Sequence, residues 1–151
     1  MGSARDVSDG QTQFLDRARP AAEARAFSGT ATYTTEFTLD SLVPGSRVEL
    51  DLGRVEVIAG VKLNGEPVGT VWAAPYRLDI THSVKPGVNR LSLAVTSTWF
   101  NRLAYDAGLD EKARKTWTIS GPAKDRPLRP AGLLGPVAVR LGQALGQSRA
   151  Q

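Results

Sequence analysis

From residue 30 to residue 39 the chain alternates: Tyr33, Thr35, Phe37 and Leu39 share one parity, and Thr34, Glu36 and Thr38 the other. A period of two built from β-branched and aromatic residues predicts a half-buried strand. Pro44-Gly45 marks a turn, after which Val48, Leu50 and Leu52 alternate with Arg47, Glu49 and Asp51, a strand with one apolar and one ionic face. Gly53-Arg54 interrupts that pattern before a further strand over residues 55–63. Asn64-Gly65 offers the two positive φ angles of a type I′ turn and predicts a tight hairpin. Its return arm, residues 66–72, contains Pro67, which cannot donate to a ladder and so belongs at a strand start or a sheet edge. Tyr76, Leu78 and Ile80 then point inward against Arg77, Asp79 and Thr81, Lys85-Pro86-Gly87 turns the chain, and residues 89–98 carry the apolar row Leu91, Leu93 and Val95. Leu133-Leu134-Gly135-Pro136 leads to a last strand over residues 137–141.

Between these strands little else is periodic. Pro20 interrupts a short helix expected over residues 12–19, and the region 99–130 is irregular apart from a helical turn expected within 109–115. An irregular excursion of that length in a compact domain is usually functional or disordered. Seven or so short strands separated by turn signals, without amphipathic helices between them, predict an all-β antiparallel sandwich and disfavour a parallel α/β sheet. The chain divides into residues 1–26, an added start followed by a linker or docking arm, a sandwich over 27–141, and a tail over 142–151.

Composition narrows the chemistry more than the fold. There is no cysteine, which removes disulfides, thiolate metal sites and cysteine nucleophiles, and the single histidine, His82, removes a histidine-rich metal site. No apolar run approaches the roughly 18 residues of a membrane span. The net charge is +4, of which the irregular region 101–130 contributes +3. That excess is small and lacks interleaved aromatic and basic positions, so nucleic acid is not an expected partner.

Four motifs in order, Phe27-Ser28-Gly29-Thr30, Leu52-Gly53-Arg54-Val55, Thr98-Trp99-Phe100-Asn101-Arg102-Leu103 and Gly132-Leu133-Leu134-Gly135-Pro136-Val137, accompany the hairpin run 61–69 and the segments 75–81 and 84–91. Together they resemble the galactose-binding-like jelly-roll module of glycoside hydrolases. The sugar-binding domain of family 2 is one version, and the C-terminal module of family 106 α-L-rhamnosidase-like proteins is the nearer one. The pattern departs at Ala104-Tyr105-Asp106, where the family suggests Ile-Gly-Asp. The resemblance covers residues 27–141 and implies a secreted or periplasmic accessory module. Its partners would be a carbohydrate, such as a rhamnose-containing polysaccharide, and the catalytic domain of a parent hydrolase.

A sugar requires an apolar platform for its C–H face and a few fixed polar groups for its hydroxyls. The candidates are the loop-side aromatics Trp72, Tyr76, Trp99, Tyr105 and Trp117 with the polar Asn101, Arg102 and Asp106. Each has a structural alternative. Tyr76 continues an inward-facing row, Trp72 and Trp99 end strands that they could cap, and Asn101-Arg102 could tie down the long loop. Asp106, Asp110 and Glu111 could contribute to a structural calcium site, but the spacing of a known acidic ligand loop is absent and no metal or other cofactor is expected. Glycoside cleavage needs two carboxyls across the scissile bond, whereas Glu36, Glu49, Asp51 and Asp79 all fall on the polar parity of strands. His82 stands beside a turn without a nucleophile motif, so no Ser-His-Asp arrangement is supported. The expected function is a non-catalytic accessory module that binds sugar weakly or buttresses a catalytic domain, with a pure protein-interaction domain as the alternative.

Overall fold

The structure is a computed structural model of the 151-residue chain and describes residues 22–42 and 44–143. The helix expected over 12–19 and residues 144–151 of the tail lie outside the described residues. A helical turn, α1 (Ala22–Arg25), precedes the strands β1 (Thr30–Leu39), β2 (Ser46–Asp51), β3 (Arg54–Glu56), β4 (Ile58–Leu63), β5 (Glu66–Val71), β6 (Arg77–Asp79) and β7 (Gly87–Thr96). Helix α2 (Phe100–Ala107) and a 3₁₀ turn (Glu111–Ala113) follow, and β8 (Gly132–Gly135) and β9 (Ala138–Gln143) close the fold.

All strand pairs are antiparallel. One sheet runs β1-β7-β4-β5, the second β6-β2-β9, and a short ribbon pairs β3 with β8. The alternation read from sequence becomes the core. Val48, Leu50 and Leu52 meet Val61, Leu63, Leu91, Leu93 and Val95, all 2% exposed or less, with Val55 and Ile80 closing the layer. Burying each such aliphatic side chain stabilises the fold by about 1.5–3 kcal/mol. This is the predicted antiparallel β-sandwich.

The hairpin forms as its sequence demands. Asn64 and Gly65 take φ values of 54° and 93°, and Leu63 pairs with Glu66 across a two-residue turn. Pro67 falls on β5, an edge strand, where a missing donor breaks no ladder with a further neighbour. Two elements differ from expectation. The run 55–63 divides at Val57 into β3 and β4, which join different sheets, and β8 forms where only a lead-in to the last strand was expected.

The register places four chain crossings at one end of the larger sheet. Thr96 pairs with both Thr30 and Ile58, and Ala59 pairs with Val71. The chain therefore enters β1 through Phe27–Gly29, leaves β7 through Ser97–Trp99, enters β4 through Val57 and leaves β5 through Trp72, all at this end. The Asn64-Gly65 turn lies at the other.

Candidate functional site

The segment 99–130 is built around α2. Gly29 and Ser97 hold the ends of β1 and β7 together, with Ser97 N–H donating to the Gly29 carbonyl at 3.0 Å. The Arg102 N–H donates to Ser28 Oγ at 3.3 Å, which fixes the helix against the start of β1. On its buried side α2 carries Asn101, Arg102, Ala104 and Asp106. Three of these are polar, and each is matched. Asn101 donates to the Arg129 carbonyl and accepts from the Arg129 N–H, both at 2.8 Å, so a side-chain amide stands in for a strand neighbour and pins the far end of the excursion.

Asp106 is a denser junction. Its Oδ2 accepts from Arg102 Nε at 3.1 Å, from the N–H groups of Lys115 and Thr116 at 3.0 and 2.8 Å, and from Thr116 Oγ1 at 2.7 Å. Its Oδ1 accepts from the other arm of the Arg102 guanidinium, which also lies over the Tyr105 ring at 5.3 Å. Burial alone would raise its pKa. The hydrogen bonds from Arg102 and Thr116, the Arg102 charge and the Lys115 N–H outweigh that and hold it at about 2. A carboxylate so occupied does not fit a calcium ion, since the cationic partner is already a guanidinium. No group of three or more potential ligands gathers among the described residues.

Against this frame two open grooves adjoin. One, of about 650 Å³, is lined by Ala24, Phe27, Ser28, Trp99, Arg102, Lys115 and Thr116. The other, of about 640 Å³, shares Ala24 and Phe27 and extends along Arg25, Tyr33, Leu128 and Arg129. Phe27 is 51% exposed and Trp99 60%, so both aromatic surfaces are open to solvent. The hydroxyls of Ser28 and Thr116 stand beside them as further polar groups.

The eight expected site residues thus separate. Trp99 and Arg102 share the groove. Asn101, Tyr105 and Asp106 lie on α2, where Asn101 and Asp106 organise the excursion. Trp117 follows Thr116 and is exposed, Tyr76 packs against the core as its inward row requires, and Trp72 is exposed after β5. Sequence reasoning missed Phe27, Ser28, Lys115 and Thr116. Phe27-Ser28 stood in a noted motif, but nothing local indicates that it would sit beside Trp99.

The family model described as glycosyl hydrolase 2 galactose-binding domain-like matches residues 18–131. The chain belongs to this family. It is 41% identical over 141 residues to a putative beta-glucuronidase of Formosa agariphila, covering 76% of this chain and 12% of that protein. Its structure is similar to that of a rhamnosidase from Novosphingobium sp. PP1Y, with a TM-score of 0.74 and 44% identity over 82% of this chain and 12% of that one. A Bifidobacterium dentium beta-glucuronidase complexed with coumarin-3-O-glucuronide is 25% identical, with a TM-score of 0.59, covering 80% of this chain and 22% of the enzyme. The chain therefore spans about an eighth of the first two relatives. It corresponds to one module within each of those longer proteins.

Proposed function

We propose that the chain is a non-catalytic accessory module of a glycoside hydrolase that holds carbohydrate in the groove between Phe27 and Trp99. The observation that carries this reading is the pairing of two solvent-open aromatic surfaces with the Ser28 and Thr116 hydroxyls on a rigid sandwich. Aromatic faces take the C–H face of a sugar ring, and hydroxyls orient its own. Among the described residues, the groove linings contain no carboxylate, whereas glycoside cleavage requires two about 5–9.5 Å apart. Rhamnose-containing oligosaccharides and glucuronides are the two ligand classes suggested by the names of the relatives.

Shallow open sites of this kind bind in the millimolar range, about −4 kcal/mol. Titration with rhamnose-containing oligosaccharides and with glucuronides, followed by amide and indole chemical shifts, should perturb Trp99 and its neighbours. Trp99→Ala should abolish the response while leaving the fold intact. Absence of any shift at millimolar sugar would reject carbohydrate binding.

A second reading has its own support. Val57, Ile58 and Trp72 are exposed at the same end of the sandwich, and apolar surface gathered in one region marks interaction faces. In this reading the sandwich end buttresses the catalytic domain of the parent enzyme. Hydrogen exchange at residues 57, 58 and 72 should then slow in the parent relative to the isolated chain; equal protection in both would reject the contact.

A further inference from the structure

The two grooves adjoin at Phe27, and among the described residues their charged lining side chains have a single sign. Arg25 and Arg129 line one side and Arg102 and Lys115 the other. Arg102 is neutralised by Asp106, whose carboxylate is buried and turned inward. Arg25 and Arg129 are different. Both are exposed, and Arg129 lies 3.8 Å above the Phe100 ring, a contact that holds the guanidinium in place without cancelling its charge. The wider region 101–130 has the same sign, at +3. A groove lined by one sign of charge raises the local concentration of oppositely charged ligands.

From this charge pattern we propose that the groove around Phe27 takes an anionic oligosaccharide, a chain of hexuronate units, in preference to its neutral counterpart. The inference rests on the carbohydrate reading above and specifies its ligand. Ring faces lie on Phe27 and Trp99, and the carboxylates carried at the ring edges turn toward Arg25 and Arg129. Guanidinium groups suit that task because their donors form a fork that matches a carboxylate.

Esterification separates the charge from the ring. The 151-residue chain would be titrated calorimetrically with tetragalacturonate, with its fully methyl-esterified form, and with a single-stranded oligonucleotide of equal charge. The acid should bind about fivefold more tightly than the ester at low salt. The difference should vanish near 1 M salt, where the Debye length is about 3 Å. Arg25→Gln combined with Arg129→Gln should remove the preference and keep ester binding. Arg25→Gln alone, on an exposed helical turn, should halve the preference and serves if the pair disturbs the loop. Equal binding of acid and ester would overturn the anionic preference and leave the sugar site standing. Binding of neither, together with no response to neutral rhamnose oligosaccharides, would overturn both. Oligonucleotide binding as tight as that of the uronate would also overturn the proposal, by reducing it to general polyanion attraction.

Discussion

Asp106 ties the start of the segment 99–130 to its middle. It is 1% exposed, and it joins α2 to the backbone at Lys115 and Thr116. Asp106→Asn would remove the carboxylate that the buried Arg102 guanidinium bonds to, and breaking a buried pair costs about 3–5 kcal/mol. Urea denaturation should read a loss near the lower figure, because the amide retains some acceptor capacity. The same residue sets an acid limit. Its folded pKa of about 2 lies below the ordinary value of 3.8, so its contribution is complete above pH 4 and is lost as pH falls from 4 toward 2. The fall should be on the order of 2 kcal/mol and should flatten in Asp106→Asn, measured as denaturation midpoint against pH. Asp51 makes a related point on β2. Its parity predicts a solvated carboxylate, yet it is buried to 7% exposure and held by Arg77 at 2.9 Å, Arg140 at 3.0 Å and the Gly53 N–H at 2.8 Å. Burial would raise its pKa, and these partners together lower it.

At the scale of elements, turns and strands were legible and α2 was not. The hairpin follows from Asn64-Gly65 because few residue pairs tolerate two positive φ angles. Asn64 adds contacts no local rule foresees: its Nδ2 donates to the Ser83 carbonyl at 3.1 Å and to Asn89 Oδ1 at 3.0 Å, and its Oδ1 accepts from the Arg90 N–H at 3.0 Å. Helix α2 was missed although Phe100, Leu103, Ala104 and Ala107 stand at helical spacing, because eight residues carry only about two turns of that pattern. Its other side, with Asn101, Arg102 and Asp106, is polar yet buried, made tolerable by partners up to 28 residues away. Two glycines separate turn chemistry from close packing. Gly65 needs positive φ but has open space where a Cβ would stand, whereas at Gly53, with φ 64°, a Cβ would lie 2.4 Å from the Gly135 carbonyl carbon. Gly65→Ala should cost about 1 kcal/mol and Gly53→Ala at least about 3 kcal/mol, compared by thermal unfolding. Equal costs would mean that the β2–β3 corner yields easily to the β8 end.

Over the whole molecule, the sandwich separates a scaffold from a surface. Leu50 is fully buried, and Leu50→Ala should cost about 2–5 kcal/mol. Trp72 and Trp99 are mostly exposed, so Trp72→Ala and Trp99→Ala should each change stability by about 0.5 kcal/mol or less. A loss above about 2 kcal/mol at either tryptophan would make it a cap on the sandwich rather than a surface for ligand or domain contact. The sequence by itself determined the strand parities, the tight hairpin, the restriction of Pro67 to a strand start or a sheet edge, and hence the all-β class. These depend on side-chain alternation and on φ preferences, which act over a few residues. Only tertiary structure decided that Phe27-Ser28 stands beside Trp99, that Asn101 serves Arg129, and that Asp106 is a buried junction instead of a surface ligand. Those outcomes depend on the register that pairs Thr30 with Thr96 and on hydrogen bonds across many residues, distances over which local pattern has no physical hold.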